Sequence, residues 1–214
     1  MSYHTLDSCI WATNALTDPA LIYAFVKDNV LEDKERAIDT MKRIERGEAL
    51  PTDSFPKEAY VKSEYHHYKK LPDIFSAGGL WVVSGRFAEV LRRFELGQTG
   101  LHPVKLFHHD RKTPFEGEYF TLAFGETKDT FVPEESPKAR KAPFTNGDIW
   151  EPRHADNEDS LALSSEALKG VDLWIEKRIV DAFFLSDPLL RALKDEKLSK
   201  VLDPYRCRVV SSQH

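Results

Sequence analysis

The chain has 214 residues, of which 41% are apolar and 11% aromatic, enough for one large core or two small ones. Thirty basic and 35 acidic residues leave a net charge of −5, which argues against a general nucleic-acid binder, since that needs a basic face to neutralise phosphates. No apolar stretch approaches the roughly 18 residues of a membrane span, and the first residues lack the basic and apolar regions of a signal peptide, so the expected compartment is a reducing cytoplasm.

Residues 3–12 partly alternate and predict a strand. Asp18-Pro19 is a helix entry, with a capping carboxylate and proline at the first helical position, and Leu21, Ile22, Phe25 and Val26 follow at helical spacing. A second helix is predicted over 33–46, with Ala37, Ile38, Met41 and Ile44 as its stripe and Gly47 as its C-terminal cap. Pro51, Pro56 and Pro72 break up the next stretch, in which 60–63 reads as a short strand.

Gly78-Gly79 then bends the chain into Trp81-Val82-Val83-Ser84, an apolar run that stops at a serine and is followed by Phe87, Val90 and Leu91 at helical spacing. The same unit recurs as Phe183-Phe184-Leu185-Ser186 with Leu189, Leu190 and Leu193. In each, a strand ends, a serine caps a helix and the helix folds back on the sheet. Leu91 and Leu96 match Leu193 and Leu198, and Leu101-His102-Pro103 echoes Leu202-Asp203-Pro204. Two copies about 100 residues apart suggest a pseudo-symmetric domain rather than a solenoid. Strands are further expected over 101–107, 119–124, 171–175, 179–185 and 205–210. Residues 125–160, with Pro133, Pro137, Pro143 and Pro152, read as a long loop. The expected organisation is an N-terminal strand and helical region, 1–47, packed on a main domain, 48–214, as one unit overall.

Few residues carry evident chemistry. Cys9 and Cys207 stand at opposite ends without zinc-ligand spacing and read as two reduced thiols. His66-His67, His108-His109 and His154 could supply metal ligands, but no motif-grade spacing joins them, and exposed turns are the plainer account. Ser84 and Ser164-Ser165 have no nucleophile elbow around them. Ser76-Ala77-Gly78-Gly79 lacks the lysine of a phosphate-binding loop and reads as a tight turn. No cofactor is expected. From Pro114 to Ala167 twelve acidic residues face five basic ones, a balance of −7, and the rest of the chain sums to +2. Asp148, Glu151, Asp156, Glu158 and Asp159, with Trp150 as an aromatic anchor, form the candidate surface for docking a basic protein. The stretch lacks the alternating oxygen ligands of a calcium loop, and a solvated loop is the alternative.

Gly47-Glu48-Ala49-Leu50-Pro51, Leu71-Pro72-Asp73-Ile74, Gly78-Gly79-Leu80-Trp81-Val82-Val83-Ser84, Leu101-His102-Pro103-Val104 and Leu168-Lys169-Gly170-Val171-Asp172-Leu173-Trp174 together resemble family eleven of the bacterial polymorphic-toxin immunity proteins, formerly a domain of unknown function. The resemblance covers roughly 47–200 and rests on structural motifs with no catalytic residue among them. It implies an α+β protein, with a mixed or largely antiparallel sheet and packed helices, that binds and neutralises a cognate toxin by occlusion and is not an enzyme. The alternative is a small hydrolase with a histidine-based site that reverses a toxin's modification. The contact residues proposed above come from charge alone.

Overall fold

The computed structural model describes residues 9–143, 147–152 and 159–211. Strand β1 (Ile10–Thr13) is followed by β2 (Ile22–Tyr23), β3 (Phe25–Lys27), helices α1 (Asp28–Glu32) and α2 (Lys34–Glu45), and β4 (Glu58–Val61). Next come β5 (Ile74–Ala77), β6 (Leu80–Ser84), α3 (Gly85–Leu91), β7 (Gly100–Pro103), β8 (Lys105–Phe107) and β9 (Tyr119–Ala123). The remainder holds β10 (Thr127–Lys128), β11 (Arg140–Lys141), β12 (Trp150–Glu151), β13 (Ala162–Ser164), β14 (Leu173–Glu176), β15 (Phe184–Ser186), α4 (Asp187–Asp195) and β16 (Pro204–Val210). The expected α+β class with mixed pairing is what forms.

The expected N-terminal helical region is not. Asp18 does cap, accepting the Ala20 N–H at 2.8 Å, but it starts only a single 3-10 turn, Pro19–Leu21. The run Ile-Tyr-Ala-Phe-Val is β-branched and aromatic, and it extends to pair with β5 and β4. Helix α2 forms as predicted, with Asp33 accepting the Arg36 N–H at 3.0 Å and Gly47 at φ 71° just beyond it. Its buried face is Ala37, Thr40 and Ile44, while Ile38 turns to solvent. The strand expected over 179–185 pairs only at its end, and Ile179 bridges to Trp150 instead.

The chain divides into two compact units, a continuous one, Asp18–Glu126, and a discontinuous one made of the described residues up to Thr17 and from Thr127 on. In the continuous unit β2 runs into β3 with only Ala24 between, and β7 into β8 with only Val104 between. The pairings therefore close into a ring of six strands. Around it, β2 is parallel to β5, β5–β6–β9–β7 are antiparallel, β8 is parallel to β4, and β4 is antiparallel to β3. Phe25, Val61, Phe75, Val82 and Leu106 fill this unit's core.

The discontinuous unit repeats the plan. β10 is parallel to β14, β14–β15–β1–β16 are antiparallel, and β16 is parallel to β13. The Phe131–Leu163 bridge closes the ring. Ile10, Phe131, Leu163, Trp174, Phe184 and Tyr205 fill its core. The rings differ in one respect: β9 follows α3 in sequence, whereas its counterpart β1 comes from the far end of the chain. The ladders also set the true register of the repeat. Leu101 pairs with Leu122 as Pro204 pairs with Thr13, so the counterpart of Leu101 is Pro204 and not Leu202.

The strand-serine-helix units are one device built twice. Ser84 Oγ accepts the Phe87 N–H at 3.3 Å and donates to Asp73 at 2.6 Å, and the Ser84 N–H donates to the Asp73 carbonyl at 2.9 Å. Ser186 does the same with Leu189 at 3.3 Å, the Asp172 carboxylate at 2.5 Å and its carbonyl at 2.9 Å. Eight residues beyond each serine a cation lies over the aromatic of the neighbouring strand, Arg92 on Phe120 at 4.5 Å and Lys194 on Trp11 at 4.6 Å. Each serine thus holds both a helix end and the aspartate that opens the hairpin. Loss of the cap costs about 1 kcal/mol, and loss of the hydrogen bond to a carboxylate about 1.5–3 kcal/mol. Ser84→Ala and Ser186→Ala are each expected to lower stability by about 2–3 kcal/mol in urea unfolding. Losses under about 0.5 kcal/mol would show that the aspartate bond contributes nothing.

The first hairpin turns on Gly78 and Gly79, at φ 60° and 90°, between the paired Ala77 and Leu80. That backbone is open to glycine, and a Cβ at 78 would lie 2.5 Å from the Phe25 carbonyl oxygen. Ser76 and Ala77 belong to β5, so the segment is a hairpin turn.

Candidate functional site

The acidic set lies in the discontinuous unit, and Asp156 and Glu158 fall outside the described residues. Asp148 accepts the Trp150 indole N–H at 2.8 Å and meets Arg178 at 3.3 Å and Lys141 at 3.7 Å. The indole bond, with Arg178 behind it, holds its carboxyl below the usual carboxylate range. Glu151 pairs with Arg140 across the β11–β12 ladder. Asp159 takes a fork from Arg206, at 2.7 and 3.1 Å. Trp150 is half-buried, packed on the unit's core with its ring 5.8 Å from that of Phe131. Asp148 and Trp150 are thus brought together, and Asp159 is held against β16.

Arg178 and Arg206 were not legible as partners for these acids. They arrive from the β14–β15 connection and from β16, far along the chain, and each described carboxylate of the set has a cation beside it. Exposed pairs of this kind add little stability, but they reduce the field the acids project.

No disulfide joins Cys9 to Cys207, and burial pushes the Cys207 thiol up. Ser84 and Ser186 serve as caps. His66, His67 and His109 are exposed, while His108 stacks on Phe115 at 4.0 Å. His154 lies outside the described residues. Among the described residues no three histidine, cysteine or acidic side chains gather as ligands for a cation.

In the continuous unit, a groove of about 890 Å³ runs beside β7 and β8. Val104, Leu106, Phe115 and Phe120 form its floor, and Glu58 and Glu118 stand with Lys57 and Lys105 among its polar groups. Because β4 and β8 are parallel neighbours, with Tyr60 paired to Phe107, the segments that follow them leave the same end of the ring. Those segments carry both histidine pairs.

A model of an immunity protein family, Imm11, matches residues 18–202. The chain belongs to the Imm11 immunity family. The match takes in all of the continuous unit and both serine-capped helices of this Imm11 protein, while β1 and all of β16 lie outside it. No curated protein matches the chain. Among the described residues no helix is long and apolar enough to cross a membrane. The family resemblance legible over 47–200 is therefore shown, and it reaches further toward the N-terminus than the quoted motifs do. Membership implies a role in toxin immunity and a cognate toxin as partner.

Two polar residues inside the Imm11 fold escaped sequence reasoning. Glu176, 1% exposed, accepts the Thr130 N–H at 2.9 Å, the Thr130 hydroxyl at 2.5 Å and the Trp174 indole at 3.0 Å. Lys27, 3% exposed, donates to the Gly78 carbonyl at 2.7 Å and lies 3.2 Å from the Met41 sulfur. Both end apolar runs, where a charged residue ordinarily marks the step out to solvent.

Proposed function

We propose that this Imm11 protein neutralises a cognate protein toxin by binding it and covering its working surface, without turnover, in the cytoplasm of the cell that makes it. The family match over 18–202 carries the reading. The structure is in keeping with it: both rings are filled by side chains, and the repeated serines hold helices and hairpins. The work of such a protein falls to its surface. The acidic set, Asp148, Trp150, Glu151, Asp156, Glu158 and Asp159, is one candidate contact, for a basic toxin surface.

The test is to titrate the protein against the toxin candidate encoded beside its gene, following toxin activity in vitro and growth of cells expressing both. Inhibition is expected to be complete at equimolar protein, with a complex that co-purifies. No complex and no protection would overturn the reading. Full protection at a small fraction of equimolar protein would mean turnover and favour a hydrolase that undoes the toxin's modification.

A further inference from the structure

We propose that the loops 62–72 and 108–113 of the continuous unit form the docking surface for an acidic patch on the cognate toxin, an inference that rests on the immunity reading above. The first support is a comparison of the two rings. The Lys62 N–H donates to the Ala24 carbonyl as the Ser164 N–H donates to that of Thr130, and Asp73 matches Asp172. The connection between these points is three residues longer in the continuous unit. The segment after β8 has no counterpart at all, because β1 does not follow β16 in the chain. What is added to a repeated scaffold is where a specific surface is grafted.

Both loops are tied down by hydrogen bonds. Tyr68 anchors the first, its hydroxyl accepting the Ala24 N–H at 3.0 Å and its ring 4.7 Å from that of Tyr23, and Leu71 is buried beyond it. Ser63 makes the turn, taking the His66 N–H on its carbonyl at 3.0 Å and the Tyr65 N–H on its hydroxyl at 3.3 Å. That turn lifts Tyr65 to 84% exposure. In the second loop Asp110 accepts the Lys112 and Thr113 N–H groups at 2.9 Å and the Thr113 hydroxyl at 2.5 Å, and Arg111 lies over the Tyr60 ring at 5.1 Å. A preset loop tipped with tyrosine loses little entropy on binding, and tyrosine is a typical interface anchor.

Charge selects the partner. Residues 62–70 and 108–113 hold five lysines and arginines against two acids, Glu64 and Asp110, and the Asp110 carboxylate is spent on its own turn. Lys62, Lys69, Lys70 and Lys112 are exposed, and none forms a salt bridge among the described residues. Of the flanking acids, Glu58 takes the Tyr60 hydroxyl, Asp73 takes the Ser84 hydroxyl, and Glu116 and Glu118 lie beyond buried Phe115. A basic, aromatic surface could also suit nucleic acid, but a chain of net charge −5 that belongs to an immunity family favours a protein partner.

The experiment measures binding kinetics to the inactivated product of the adjacent toxin gene at low and high salt, with melting curves to verify that each variant is folded. Tyr65→Ala is expected to weaken binding about 30-fold, chiefly by faster release. The double change Lys69→Glu with Lys70→Glu is expected to slow association about tenfold at low salt, an effect that fades at high salt. Asp156→Lys with Glu158→Lys tests the acidic set as the docking surface instead. If the wild type binds and the loop variants bind as it does, or if the acidic-segment variant alone loses binding, this inference falls and the immunity reading stands. If the wild type binds a single-stranded oligonucleotide and not the toxin, or binds neither, both fall.

Discussion

Glu176→Ala is expected to destabilise the discontinuous unit by about 3–5 kcal/mol, the largest effect of any single substitution considered. The carboxylate gathers three donors: the backbone and side chain of Thr130, just beyond β10, and the indole of Trp174 on its own strand. Alanine leaves all three in a dry interior without acceptors, and it leaves a void beside Trp174 and Phe184, whose rings stack at 5.8 Å. Glu176→Gln keeps the shape but swaps one acceptor for an NH₂ group facing donors, so a smaller loss of about 1–3 kcal/mol is expected. Urea unfolding followed by tryptophan fluorescence measures both. A loss under about 1 kcal/mol for the alanine variant would mean that water replaces the carboxylate.

The second large effect is a dependence on pH. Burial lowers the Lys27 ammonium from 10.5 to about 8, because the charge is removed from water with a carbonyl and a thioether as its hydrogen-bond partners. The folded pKa of this base lies below its unfolded value. Below about 8 the lysine is charged in both states, and folding carries the whole cost of burying that charge. From about 8 to 10.5 the unfolded chain binds more protons than the folded one, so stability climbs with pH. The rise expected from Lys27 is about 3 kcal/mol. Lys27→Met should be more stable than the wild type near neutrality by about 1–2 kcal/mol, since it removes the cost of burial but orphans the Gly78 carbonyl. The difference between the two proteins should fall to zero and then reverse as pH rises toward 10.5, because the rise of the wild type exceeds it. A difference that holds constant with pH would mean that Lys27 reaches water through a path its burial does not suggest.

Much of the scaffold was legible from local pattern. The serine caps, the Gly78-Gly79 turn, helix α2 and most strands follow from spacing and turn chemistry. The run 21–26 was not, because Leu21, Ile22, Phe25 and Val26 fit a helical stripe as well as a strand, and only the partners β4 and β5 decide between them. The closure of each ring was beyond reach for a related reason. Leu163 meets Phe131 and Ala12 meets Phe184 and Tyr205 across separations that no sequence period records. The matching aspartates were hidden by unequal hairpins, since Asp73 lies eleven residues before its serine and Asp172 fourteen. The surface was least legible. A count of charge along 114–167 sees the acids and misses Arg178 and Arg206, which fold in from elsewhere.

The place of β1 in its ring bears on how the protein is made. It lies between β15 and β16, so two of its ladders join residues 10–13 to residues 184–186 and 204–207. The continuous unit has all six of its strands once residue 126 leaves the ribosome. The other must hold its first strand unpaired until almost the whole chain has been synthesised, and contacts of such long span form slowly. The span matched by the family model, 18–202, contains only four of that ring's six strands in full. A chain cut short in translation would therefore contain the first ring complete and the second open, and a cell that depends on the whole surface would be protected only by finished molecules.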